Sequence, residues 1–188
     1  MKIYLIRHCD TIEWENGIIL WHLNWNLSKR WIFEAERIWK FLKNSDFWIT
    51  KFLTSDLKRA IDTSKIINNY LSLEIEKLNI LRERWSWIVE WKKENEINWE
   101  LYEKKKLPYR KHYWWESFLD VKKRANYFLS NLYTNDWNLL IISHNVFILM
   151  LICIFKQITI KESLKIDIKN KIVCIDLKNN YLDFIDIV

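Results

Sequence analysis

Lys2-Ile3-Tyr4-Leu5-Ile6-Arg7-His8-Cys9-Asp10-Thr11 is the stretch whose reading decides the fold. An apolar run begins almost at the first residue and stops abruptly at Arg-His. A short, continuous apolar run is the pattern of a strand covered on both faces. Its end delivers a cation and a nucleophile to the edge of a sheet, which puts His8 at the centre of the chemistry. A second run, Asn138-Leu139-Leu140-Ile141-Ile142-Ser143-His144, has the same form and also ends in a histidine. In an open α/β sheet, ligands gather beyond the carboxyl ends of the strands. Two histidines and an arginine there make a cationic pocket suited to phosphate.

Outward from these two strands the chain alternates. Residues 9–27 read as a polar loop around Asn16-Gly17. Ser28 caps an expected helix to about Lys43, with Ile32, Ala35, Ile38, Phe41 and Leu42 as its apolar face. Phe52-Leu53-Thr54 is a short strand. A helix begins at Ser55 or Asp56 and runs to about Leu71, carrying Leu57, Ala60, Ile61, Ser64 and Ile67 at helical spacing. Residues 73–80 alternate weakly as a third strand, and 82–91 are irregular. A charged helix is expected from Lys93 to Lys105, and Pro108 lies in a loop that continues to Trp115. Glu116 to about Tyr133 is an amphipathic helix. Val146 to Phe155 is a buried one. Lys171–Leu177 and Leu182–Val188 form a hairpin around Asn179-Asn180. Strands alternating with helices predict an α/β layered domain, and no linker divides residues 1–188.

Composition narrows the function. Hydrophobic residues make up 50% and charged residues 29% of 188, a balance expected of a soluble domain with a sizeable core. No run approaches the ~18 apolar residues of a membrane helix, and no leader peptide is visible, so a cytoplasmic location is expected. Cys9, Cys153 and Cys174 are odd in number and scattered, which argues against a disulfide framework or a zinc site. The net charge of +6 comes from dispersed lysines, with Lys104-Lys105-Lys106 the one tight run. That reads as a solvated basic surface and not as a nucleic-acid or membrane face.

Five blocks carry a resemblance. Arg7-His8, Ser55-Asp56-Leu57-Lys58-Arg59-Ala60, Leu81-Arg82-Glu83-Arg84, Glu116-Ser117-Phe118 and Ser143-His144 closely resemble the histidine phosphatase superfamily, the phosphoglycerate mutase-like fold. They occur in the right order over nearly the whole chain. The resemblance implies a three-layer α/β/α sandwich with a mostly parallel central sheet. It also implies His8 as the nucleophile that becomes a phosphohistidine. Arg7, Arg59 and His144 would hold the phosphoryl oxygens. Glu83 would be the general acid, then the base for water. His8 must be neutral to attack, and neighbouring cations favour that form. The resemblance calls for no metal and no cofactor. His22 and His112 fall in loops, with His22 placed near the substrate entrance.

The chain holds one Gly and 13 Trp. Ordinary usage of about 7% would give roughly 13 glycines in this length. Under the resemblance, Trp21, Trp31, Trp39, Trp87, Trp91, Trp114 and Trp115 occupy positions where the family usually has glycine, and Trp25 and Trp137 sit at turn-like positions. Tryptophan cannot supply positive φ cheaply. The expectation is a gene whose UGA codons are read as glycine in its own organism. Cys9 and Asn145 also stand where the family usually has glycine, and a thiol beside the nucleophile raises the question of oxidation. Leu20 and Trp14 depart from the family's polar pattern.

The leading expectation is a phosphomonoesterase acting on a small phosphorylated metabolite. The chain is short for the mutase branch, and the Glu116-Ser117-Phe118 block with Asp120 and Arg124 is similar to the small phosphatases. Mutase-type phosphoryl transfer is the alternative. A non-catalytic protein is a third reading, if the tryptophans are genuine and crowd the pocket. Substrate identity and oligomeric state stay open.

Overall fold

The computed structural model describes residues 1–18, 22, 26–85, 92–97, 107–109, 115–132 and 138–187. Six strands form one sheet: β1 (Lys2–Arg7), β2 (Lys51–Ser55), β3 (Ile75–Leu78), β4 (Asn138–Ser143), β5 (Lys171–Asp176) and β6 (Tyr181–Asp186), in the order β3-β2-β4-β1-β5-β6. β1, β2, β3 and β4 are mutually parallel, whereas β5 runs antiparallel to both β1 and β6. The helices are α1 (Ile12–Glu15), α2 (Lys29–Lys43), α3 (Lys58–Leu71), α4 (Phe118–Ser130), α5 (Asn145–Phe155) and α6 (Ile160–Ser163).

The alternation of side chains along a strand explains the layers. Ile3 and Leu5 of β1, with Leu139 and Ile141 of β4, face a core built with Val121, Ala125 and Phe128 of α4 and the buried helix α5. Tyr4, Ile6, Leu140 and Ile142 face the other way, onto Ala35, Ile38 and Leu42 of α2 and Ala60 and Ile67 of α3. Both faces of the central strands are therefore covered, which is why they read as unbroken apolar runs. The result is the expected three-layer α/β/α sandwich.

Local differences have local causes. The buried stripe of α2 is Trp31, Ala35, Ile38 and Leu42, and Ile32 is exposed. Ser28 holds the N-cap position, but its hydroxyl donates to Glu15 Oε1 (3.0 Å) and no side-chain cap bond forms. Helix α3 starts at Lys58, later than expected, because Ser55 Oγ accepts the Leu57 N–H (3.3 Å) and closes a turn first. The loop after β1 contains the short helix α1, capped by Thr11. Of the charged helix expected from Lys93, the described part is a single 3-10 turn at Glu94–Glu96, and residues 98–106 lie outside the described residues. Helix α4 carries a complete capping box between Ser117 and Asp120.

Candidate active site

The carboxyl ends of β1, β4 and β2 converge because these strands are parallel neighbours. Arg7 lies opposite Ser143 in register, and the His8 N–H donates to the Ser143 carbonyl (2.9 Å). The two histidines that follow the strands are thereby brought together, with ring centroids 4.7 Å apart. Arg59 enters from the first turn of α3 and is 2% exposed. Its Nε–H donates to His8 Nε2 (3.0 Å) and its Nη2 to His144 Nδ1 (3.1 Å), so one guanidinium bridges both rings.

The remaining bonds fix the tautomers. His8 Nδ1 lies 2.7 Å from the Cys9 carbonyl, which can only accept, so Nδ1 carries the hydrogen and Nε2 the lone pair. His144 Nε2 lies 2.8 Å from Ser55 Oγ; with Nδ1 accepting from Arg59, Nε2 is the donor. Both imidazoles are held neutral. Burial, then Arg59, then Arg7 keep His8 well below its ordinary value of 6.5, against the raising effect of the Cys9 carbonyl. Burial and then Arg59 do the same to His144. The cations expected to neutralise His8 do contribute, but desolvation is the larger cause.

The other expected residues have distinct settings. Arg7 pairs with the buried carboxylate of Asp10, which Lys169 Nζ also approaches (3.6 Å). Glu83 is buried on the irregular stretch after β3. Its Oε1 accepts the Arg84 N–H (2.7 Å), and its Oε2 accepts the Val146 N–H (3.4 Å) from the first turn of α5. The carboxylate thus sits against the same helix start that carries His144. Arg82 is turned away from Glu83 to Asp56, with which it forms a bidentate ion pair (2.7 and 2.5 Å) that holds the Asp56 carboxyl below its ordinary range.

Two further residues take part that the sequence gave no role. His22 is not a detached loop residue, since its Nε2 lies 2.8 Å from the Glu83 carbonyl. Thr63, one turn after Arg59, accepts the Cys9 N–H (3.1 Å) and donates to the Arg59 carbonyl (2.8 Å), tying the loop after β1 to α3. Its spacing from Arg59 on one helix face was the available clue. His112, Leu20 and Lys104–Lys106 lie outside the described residues. Cys9 is buried, and burial pushes its thiol up to about 12, so it is not a reactive thiolate. Among the described residues, no group of three or more His, Cys, Asp or Glu side chains is arranged to hold a metal ion. None of the described helices is long and apolar enough to cross a membrane.

The arrangement is a neutral imidazole whose Nε2 carries the lone pair and accepts the Arg59 Nε–H, with the Arg59 and Arg7 guanidinium groups acting on it, which suits attack on a phosphoryl centre. Solved structures share its frame. An α-ribazole phosphatase from Shigella flexneri superposes with a TM-score of 0.83 at 22% identity, covering 98% of this chain and 94% of that one. A mycobacterial glucosyl-3-phosphoglycerate phosphatase, in complex with VO3, gives 0.83 at 16% identity, over 97% and 96%. A phosphoserine phosphatase from Entamoeba histolytica, in complex with 3-phosphoglyceric acid, gives 0.80 at 20% identity, over 97% and 94%. No curated protein matches. The family model of the histidine phosphatase superfamily (branch 1) matches residues 3–180. By that match the chain belongs to the histidine phosphatase superfamily (branch 1), and it is a histidine phosphatase by family.

Proposed function

We propose that the protein is a phosphomonoesterase that hydrolyses a small phosphorylated metabolite through a phosphohistidine on His8. The observation that supports this best is the bond from His8 Nδ1 to the Cys9 carbonyl, which leaves Nε2 as the basic atom facing Arg59. In this reading Arg7, Arg59 and His144 take the phosphoryl oxygens and offset the charge of the transition state. The Arg59 Nε–H moves from Nε2 to a phosphoryl oxygen, Nε2 attacks phosphorus as the bond to the leaving oxygen breaks, and Glu83 donates the proton that oxygen needs. Glu83, now ionised, then removes a proton from water. The water oxygen attacks phosphorus, the P–N bond breaks, and neutral His8 returns. Under this proposal residues 1–188 act as one catalytic domain in the cytoplasm. A panel of phosphate monoesters with His8→Ala as the control tests the assignment. Retained turnover in the control overturns it, and phosphate returned to a sugar-acid substrate instead of released marks mutase chemistry.

We further propose that the tryptophans stand for glycines read from UGA. Trp48 supports this: its φ is +49°, a left-handed conformation costing roughly 1–2 kcal/mol for a residue with a Cβ, and its side chain is 79% exposed. Trp31 is buried, with an indole N–H that finds no partner among the described residues. By contrast, Trp31 and Trp39 lie inside α2, so their backbones have no need of glycine's freedom. Trp21, Trp25, Trp87, Trp91, Trp114 and Trp137 lie outside the described residues. The intact mass of protein from its native source decides the matter, and a mass that requires thirteen tryptophans overturns the recoding.

A further inference from the structure

We infer that Arg124, locked by Glu116, is the positioning residue of the general acid. The inference rests on the reading of Glu83 above. Residues 82–85 follow the 3-10 turn Asn79–Leu81 and have no regular secondary structure, yet Leu81 is fully buried and Glu83 nearly so. Irregular backbone in such a place must find partners for its polar groups from outside itself. Side chains supply them one carbonyl at a time. Arg124 Nη1 donates to the Ile80 carbonyl (2.7 Å) and to the Arg82 carbonyl (2.8 Å). Ser143 Oγ donates to the Leu81 carbonyl (2.7 Å), and His22 Nε2 meets the Glu83 carbonyl (2.8 Å). Four consecutive carbonyls that end at Glu83 are held in this way.

Arg124 carries two of the four and is itself held rigidly. Its Nε and Nη2 form a two-pronged pair with Glu116 Oε1 (2.9 Å) and Oε2 (2.8 Å), and its guanidinium lies 5.2 Å from the centre of the Phe147 ring. Glu116 then grips the far end of the same segment. Its Oε2 accepts the Trp85 N–H (3.1 Å), and its own N–H donates to the Trp85 carbonyl (3.2 Å). These are backbone contacts, so they do not depend on which side chain position 85 carries. One ion pair therefore closes both ends of a loop that has Glu83 near its middle. The capping box at Ser117 and Asp120 starts α4 immediately after Glu116 and fixes the turn from which Arg124 reaches back. A lysine keeps the charge of Arg124 but lacks the planar fork needed to serve two carbonyls and a carboxylate together.

Leaving-group dependence distinguishes a catalytic consequence from a merely structural one. The leaving oxygen of p-nitrophenyl phosphate departs without a proton, whereas that of an alkyl monoester such as glycerol 2-phosphate requires one. General acid catalysis contributes about 10²–10⁴-fold where the proton is needed. We expect Arg124→Lys to lower kcat/KM for the alkyl ester by at least about tenfold more than for the aryl ester, following the pattern of Glu83→Gln. Glu116→Gln, which keeps the shape of its side chain, should show the same bias to a smaller degree and serves if Arg124→Lys folds poorly. Equal losses on both esters in Arg124→Lys and Glu116→Gln, beside a biased Glu83→Gln, overturn the positioning role alone. An unbiased Glu83→Gln overturns the general-acid reading and the inference that rests on it.

Discussion

Acidification should unfold this protein through its active site before its carboxylates matter. His8 and His144 are held neutral in the folded state, chiefly by burial and next by Arg59. In the unfolded chain each would titrate near 6.5, its ordinary value. Below that pH the unfolded state takes up protons that the folded state refuses, so stability falls as pH falls. The slope approaches about 1.4 kcal/mol per pH unit for each imidazole. Between about pH 7 and pH 5 each can remove at most roughly 1.9 kcal/mol, and the two together roughly 4, if neither protonates while folded. That is a large part of an ordinary domain stability of ~5–15 kcal/mol. The lowered carboxyl of Asp56 does not enter this window, because its contribution is lost only as pH falls below its ordinary 3.8. Urea midpoints measured across this range, with the m-value checked for constancy, give the slope directly. His8→Asn, which removes one of the titrating groups, should flatten that slope by about one proton, or ~1.4 kcal/mol per pH unit. A wild-type stability that stays level across the window, or an unchanged slope in His8→Asn, refutes the argument that these imidazoles are buried neutral.

Three further outcomes follow from the same geometry. Phosphatase activity should keep its acid side below 6.5, because His8 stays neutral there; a kcat/KM profile that drops at the ordinary imidazole value counts against the Arg59–His8–His144 arrangement. Iodoacetamide should leave activity intact over hours at neutral pH, since the Cys9 thiol is buried and pushed up to about 12; rapid inactivation traced to Cys9 by mass spectrometry would contradict this. The Arg82–Asp56 pair, whose side chains are 40% and 26% exposed, should contribute no more than about 1 kcal/mol in a double-mutant cycle, because water screens it.

The fold was legible wherever burial was continuous. β1 and β4 announce themselves because both faces are covered, so no polar residue interrupts them, and the abrupt change at Arg7-His8 and Ser143-His144 marks where the cover ends. Amphipathic α2 was legible as a helix and in phase through Ala35, Ile38, Phe41 and Leu42, and only its first turn differs, where Trp31 is buried and Ile32 exposed. The start of α3 was misplaced because Ser55 closes a side-chain turn that periodicity does not register. Arg59 could be placed near the site by its neighbours on the helix, whereas its bridging of His8 and His144 depends on three elements meeting. The sequence placed His22 only near the substrate entrance and gave no sign of Asp10, since each acts on a residue whose position the sequence does not state.

The two halves of the site are held by different means, and this explains which of their partners the sequence concealed. His8, the proposed nucleophile, rides on the end of a central strand, where register against β4 fixes its backbone and its N–H is consumed by Ser143. A strand of this kind specifies position through backbone bonds that any sequence of suitable pattern can make. The carboxylate lies on a stretch without such a ladder, so its position must be bought with side chains: Arg124, Glu116, Ser143 and His22. Glu116 and Arg124 share one block, but His22 and Ser143 come from distant parts of the chain, and no local pattern links any of the four to Glu83. Ser143 belongs to both halves. Its carbonyl accepts from His8 while its hydroxyl donates to the Leu81 carbonyl, so the strand end that sets His8 also anchors the segment carrying Glu83. Removing that hydroxyl would leave the buried Leu81 carbonyl without its donor, at a cost of about 1–3 kcal/mol. Ser143→Ala should therefore resemble Arg124→Lys in its bias between alkyl and aryl esters, while the backbone bond to His8 stays in place.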